Sequence, residues 1–180
     1  MSTPISVRLA RHARLPVLIV LTALVVLFYL ALFPGMIAAS PALQQTGMLD
    51  TRLTYSPAEA YQALEAYGPT GRAQYVRTTA LLDFVFPVIY GLLLGLLAAC
   101  GLARAFPGKP RMGWLALLPL AALLFDWLEN GSVLALLLTY PQRLDGLAAA
   151  AGVFTLLKWI AFVLSVLIAA GSLLAARLRR

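Results

Sequence analysis

The run LPVLIVLTALVVLFYLALF, residues 15–33, carries no charge over its whole length. It is close to the 20 or so apolar residues that a helix needs to cross a hydrocarbon core. Arg8, Arg11 and Arg14 stand before it. A cleaved signal peptide is the rival reading of such a stretch. Its apolar region is normally about 7–15 residues, shorter than this one. The best cleavage point, after Ser40, would also leave Pro41 just past the cut. The run is therefore read as a span.

Three more apolar runs follow, at about 75–99, 113–138 and 147–176. The whole chain of 180 residues is 62% hydrophobic and 12% charged. Soluble domains are roughly 45–50% apolar and about 25% charged. In water this chain would expose more apolar surface than its polar residues could cover. The sequence thus predicts an all-α membrane protein of one domain, residues 1–180, with four transmembrane helices in an antiparallel bundle.

The net charge of +7 does not point to nucleic acid, because the basic residues collect at the ends of the spans, where cations set topology. Arg8, Arg11, Arg14, Arg104, Lys109, Arg111, Arg177, Arg179 and Arg180 lie on one side, and Arg52, Arg72, Arg77 and Arg143 on the other. Nine against four predicts cytoplasmic N- and C-termini in a plasma (inner) membrane.

The connections differ in kind. Phe106-Pro107-Gly108-Lys109-Pro110 and Tyr140-Pro141 read as short turns. The first outer loop, 34–74, is longer and carries structure: Ser56-Pro57-Ala58-Glu59 is a capping box with proline at the first helical position, and Gly68-Pro69 ends the helix. That short amphipathic helix, about 57–67, places Tyr61 and Leu64 on one side, with Ala60 and Tyr67 adjoining. It suits either the headgroup layer or a lid over the mouth of the bundle.

The polar residues inside the spans are the informative ones. Asp83, Asp126, Glu129 and Lys158 each cost at least ~2.5–3.5 kcal/mol at a helix centre unless partnered. At 1.5 Å per residue their positions fall within roughly 5 Å of one level. Asp126, Glu129 and Asn130 share a face of the third helix by their i, i+3, i+4 spacing. Ala151, Thr155, Lys158, Phe162, Ser165, Ala169 and Ser172 make a stripe of mostly small or polar residues on the fourth, the kind of face that packs. On the second helix Tyr90 follows Asp83 by seven residues, and Gly91 and Gly95 allow close helix contact. Pro87 has no N–H for the carbonyl of Asp83, which predicts a free acceptor and a kink.

Three acids thus face one lysine. Arg77, at the mouth of the second span, is a candidate second cation. Asp126 and Glu129 are the pair expected to share a proton, since full ionisation of both in a low dielectric is unfavourable. Trp127 and Trp159, each beside a cluster residue, are candidate ligand caps or core packers. Tyr90 and Thr155 complete the supporting set. Trp114 is read as an interface anchor and Cys100 as an inert buried thiol.

Several chemistries are excluded. The single histidine, His12, lies outside the spans, and Cys100 is alone. Histidine-ligated metal or haem, Ser-His-Asp catalysis and an intrachain disulfide are therefore unavailable. The Tyr-Asp and Gly-x-Gly-Asp signatures of intramembrane aspartyl proteases are absent, since Asp83 follows Leu82 and Asp126 follows Phe125. No metal or other cofactor is called for.

The leading expectation is a protein whose carboxylate–lysine cluster organises the bundle and holds a polar lipid or partner group. A proton- or cation-coupled transporter subunit is a second reading, and it requires a homo-oligomer or another membrane partner. A lipid- or quinone-modifying enzyme using carboxyl acid–base chemistry is a third. The bilayer is the one partner common to all three.

Overall fold

A computed structural model describes residues 3–179. Helix α1 spans Ile5–Ala10, α2 Leu15–Ala38, α3 Pro41–Thr46 and α4 Pro57–Ala66; the long helices α5, α6 and α7 span Gly68–Ala105, Pro110–Thr139 and Asp145–Leu178. Four of these, α2, α5, α6 and α7, are long and apolar enough to cross a membrane, and the described residues contain no strand. The chain is a multi-pass membrane protein by this architecture.

The long helices overrun the apolar runs that announce them. At 1.5 Å per residue, the 38 residues of α5 reach about 57 Å, against a hydrocarbon core of about 30 Å. Its first turns, from Gly68, therefore stand above the apolar section. Gly68 itself has φ +60°, a left-handed position that suits glycine and closes α4 as its C-terminal cap. Pro69 then opens α5.

Two of the spans bend at the same motif. A wide turn at Phe28–Leu32 precedes Phe33-Pro34 in α2, and another at Thr79–Asp83 precedes Phe86-Pro87 in α5. Each proline removes the N–H that the carbonyl four residues earlier would take, and the wide turn absorbs the mismatch. The bends meet. Phe86 stacks on Phe28, with centroids 5.6 Å apart, and meets Phe33 edge-on at 5.3 Å.

Helices α5, α6 and α7 form the packed centre. The face that α7 buries includes Ala151, Thr155, Lys158, Ser165, Ala169 and Ser172, with Phe162 half-buried. This is the small and polar stripe that the sequence displays. Gly95 lets α5 approach α6: a Cβ there would lie 3.3 Å from the Ala116 carbonyl oxygen. By contrast α2 is peripheral, and its apolar window is only 6% buried against 50% for α5. It packs along α5 through Leu15–Leu27, through the aromatic contact and through Gln74, whose side chain donates to the Met36 carbonyl at 2.9 Å. At the end of the bundle that bears the chain termini, α1 lies across α5 and the start of α6.

The segment between α2 and α5 folds onto the opposite end. Leu43, Met48, Leu49, Tyr55, Ala60, Tyr61, Ala63, Leu64 and Tyr67 are all buried, in one core with Tyr75 of α5, Val133, Leu136 and Leu137 of α6, and Ala148 and Ala151 of α7. Helix α4 has the predicted box: Ser56 Oγ accepts from the Glu59 amide, and the Glu59 carboxylate accepts from the Ser56 amide at 2.7 Å. Its apolar side packs on the bundle, the arrangement expected of a lid. We call residues 40–67 the cap.

Candidate functional site

The polar groups of α5, α6 and α7 converge beneath the cap. Asp83, Asp126, Glu129, Asn130, Thr155 and Lys158 are all buried. Four consecutive features of the sequence put them there: the Pro87 bend, the i, i+3, i+4 spacing on α6, the small stripe of α7, and the folded cap.

Lys158 is the hub. Its Nζ lies 2.5 Å from Glu129 Oε2 and donates to the backbone carbonyl of Asp50 at 3.1 Å. One ammonium thus ties α7 to α6 and to the cap. The other oxygen of Glu129 accepts from the Thr155 hydroxyl at 2.6 Å. Trp159 adds a second tie, its indole N–H donating to the Arg52 carbonyl at 2.8 Å. Thr54 adds a third, donating to the Gly152 carbonyl at 2.9 Å. Residues 50–55 therefore run along α7 from Lys158 back to Gly152. The absence of a side chain at Gly152 permits this approach, since a Cβ would collide with the Tyr55 carbonyl oxygen.

Among the described residues no hydrogen bond joins Asp126 to Glu129, and each has donors of its own. Asp126 Oδ2 accepts from the Tyr90 hydroxyl at 2.9 Å, and Oδ1 from Asn130 Nδ2 at 2.9 Å. Tyr90 also joins an aromatic row, meeting Phe86 at 5.5 Å and Phe162 at 5.2 Å, with Phe162 in turn on Trp159.

The carbonyl freed by Pro87 is taken up. Asn130 Nδ2 donates to the Asp83 carbonyl at 2.9 Å, and the Trp127 indole donates to the next carbonyl, that of Phe84, at 3.0 Å. Trp127 is otherwise 41% exposed, so it braces the bend from outside.

Arg77 does not join. It is exposed, lines a pocket of about 550 Å³ with Ala39, Pro69, Thr70, Ala73 and Gln74, and forms no ion pair with the cluster. The physical reason is its register: Arg77 projects sideways from α5, while Tyr75, two residues earlier, projects into the cap. The Tyr75 hydroxyl donates to Asp50 Oδ1 at 3.0 Å.

Asp50, Tyr55, Tyr75 and Thr79 are members of the cluster that sequence reasoning missed. Asp50 and Tyr55 sit in a segment without periodicity, and their role comes from a contact about a hundred residues away. Tyr75 reads from the sequence as the first residue of an apolar run and, with Tyr55, as a tyrosine suited to the outer headgroup layer. Burial and the Glu129 charge behind it hold the Tyr55 phenol well above the usual tyrosine range, so it stays neutral. Burial does the same to Tyr67, whose hydroxyl donates to the Gly47 carbonyl at 2.8 Å.

The cluster then holds four carboxylates, of Asp50, Asp83, Asp126 and Glu129, around one ammonium. Among the described residues no group of histidine, cysteine and acidic side chains has a metal-binding arrangement. The two surface pockets of about 320 and 550 Å³ are lined by none of these four acids. No family model matches the chain, and no curated protein or solved structure matches it. The functional reading rests on the geometry.

Proposed function

We propose that the cluster is a latch: it fastens a folded outer cap to a four-span antiparallel bundle of the plasma (inner) membrane and so organises the protein's outer face. The nine-to-four cation asymmetry supports cytoplasmic termini and a cap facing out. The short turns joining α5 to α6 and α6 to α7 support the antiparallel arrangement.

The observation that carries the reading is the position of Lys158 between Glu129 and the Asp50 carbonyl. A buried ion pair alone adds little net stability, because desolvation offsets its attraction. What it adds here is registry, since one side chain fixes α6, α7 and the cap together. A polar lipid headgroup or a partner's polar segment at the cap surface is the ligand class this arrangement suits. The acid–base enzyme reading has less support, as the pockets of about 320 and 550 Å³ are lined by none of the acids.

A double-mutant cycle tests the latch. Lys158→Leu strands the Glu129 charge and should cost roughly 3–5 kcal/mol of unfolding free energy. Lys158→Leu with Glu129→Leu should recover most of that loss. A double variant as unstable as the single would mean that Glu129 is not the lysine's partner.

A further inference from the structure

Where α2 leaves the membrane and α5 enters it, the two helices part around a pocket of about 550 Å³, lined by Ala39, Pro69, Thr70, Ala73, Gln74 and Arg77. Its size falls within the roughly 300–1,000 Å³ of small-ligand sites. Its walls are fixed. Gln74 of α5 donates to the Met36 carbonyl of α2 at 2.9 Å. One turn further out, residues 40–42 cross α5 so closely that a Cβ on Gly71 would lie 3.4 Å from both Ser40 Oγ and Ala42 Cβ.

The lining holds a single cation and no acid. Among the described residues Arg77 forms no ion pair. Thr70, Gln74 and Arg77 follow at i, i+4 and i+7, so they share one face of α5. A helical side chain leans toward the N-terminus of its helix, here the outer end. That tilt carries the guanidinium over Ala73, whose methyl group leaves the space open. Both walls also sit at headgroup depth. The uncharged run of α2 ends at Phe33, six residues before Ala39, and the apolar run of α5 begins near 75. At 1.5 Å per residue Ala39 stands up to about 9 Å beyond that run. The headgroup layer adds roughly 5–8 Å to each side of the hydrocarbon.

We propose that this pocket binds the headgroup of an outer-leaflet phospholipid, with the phosphodiester on Arg77 and a hydroxylated alcohol such as glycerol on Thr70 and Gln74. A guanidinium and a phosphate pair through two parallel N–H···O bonds, a match of geometry as well as charge. An ammonium-bearing headgroup would find no carboxylate here. Hydroxyls would find the Thr70 hydroxyl and the Gln74 amide oxygen, whose nitrogen already serves Met36. The inference rests on the outward-facing cap proposed above, and not on the Lys158 latch.

The experiment is thermal unfolding of the full-length protein in neutral detergent, followed by tryptophan fluorescence at fixed pH and ionic strength. Dioctanoyl phosphatidylglycerol, dioctanoyl phosphatidylethanolamine or inorganic phosphate is added in steps. Binding of phosphatidylglycerol to the folded state alone should raise the unfolding temperature in a saturable way, by a few degrees at concentrations far above the dissociation constant. Phosphatidylethanolamine should raise it less, and phosphate not at all. The rise should vanish in Arg77→Gln, which removes the charge, and in Ala73→Leu, which fills the pocket and keeps the charge. Both positions are exposed, so both variants should fold. Arg143→Gln, at the other outer pocket, should keep the full rise. A rise that survives in Arg77→Gln or Ala73→Leu, or that is lost equally in Arg143→Gln, would overturn the proposal. Equal responses to the two lipids would overturn it as well. An equal response to inorganic phosphate would assign the pocket to a free anion, and that too would overturn it. None of these variants touches Lys158 or Glu129, so a failed latch and an empty pocket give separate results.

Discussion

Asn130 does two jobs with one amide nitrogen: Nδ2 meets the Asp83 carbonyl and Asp126 Oδ1, both at 2.9 Å. The first job exists only because Pro87 withholds an N–H. Asn130→Leu should therefore destabilise the protein by about 1–3 kcal/mol, the usual cost of leaving buried acceptors unmatched. Pro87→Ala restores a backbone donor for the Asp83 carbonyl. In the Pro87→Ala background, Asn130→Leu should cost measurably less, as read from unfolding in detergent. Strictly additive losses would show that the amide and the proline are unrelated. At this scale the sequence was informative wherever a residue broke a rule of its surroundings. A charge in an apolar run, or a proline in a helix, announces that a partner exists. It does not name the partner: Arg77 was a candidate for the acids, and the Tyr90 and Thr155 hydroxyls and the Asn130 amide donate to them instead.

The elements differ in how plainly they could be read. The spans were legible because one solvent, the lipid, dictates about 20 apolar residues whatever the rest of the chain does. The packing face of α7 was legible because small residues recur with helical period. The cap was legible only at α4, where local chemistry suffices: a serine, a proline and a glutamate make a helix start without outside help. Helix α3 starts at a like pair, Ser40-Pro41, without the glutamate of the box, and residues 48–55 carry no such signal; both pack in the core with α6 and α7. The capping box also gives a pH dependence. The Ser56 amide and hydroxyl hold the Glu59 carboxyl below the usual glutamate range. A folded-state value below the unfolded one stabilises the helix above the unfolded value, and that contribution is lost as pH falls through the folded one. Amide protection at the start of α4, corrected for intrinsic exchange, should therefore decline on acidification from the ordinary glutamate range downward. Glu59→Gln should flatten that decline, and an unchanged acid dependence in the variant would assign it to another group.

Across the whole molecule the account makes a division of labour. Lipid holds the four apolar helices, as it would hold any such set, while the polar cluster decides how α5, α6 and α7 meet and what covers them. Peripheral α2 and the α1 strap contribute little to the cluster. The orientation can be checked by cysteine scanning, since the native Cys100 is buried. Cysteines placed at the exposed positions Thr51 and Gln142 should react with an impermeant reagent added outside cells. One at exposed Gly108 should be spared, and labelling there would invert the topology.

That the lysine holds the cap is the central claim, and amide hydrogen exchange tests it most directly. Exchange is compared across residues 43–67 in the wild-type protein and in Lys158→Leu combined with Glu129→Leu, the variant in which no charge is stranded. Buried, hydrogen-bonded amides open with free energies set by their local packing, so the cap and the helix cores report separately. The latch predicts that the cap amides lose protection together while the centres of α5 and α6 keep theirs. Cap protection unchanged in that variant would contradict it, and would leave the fastening to the apolar core under the cap and the hydrogen bonds of Trp159, Thr54 and Tyr75.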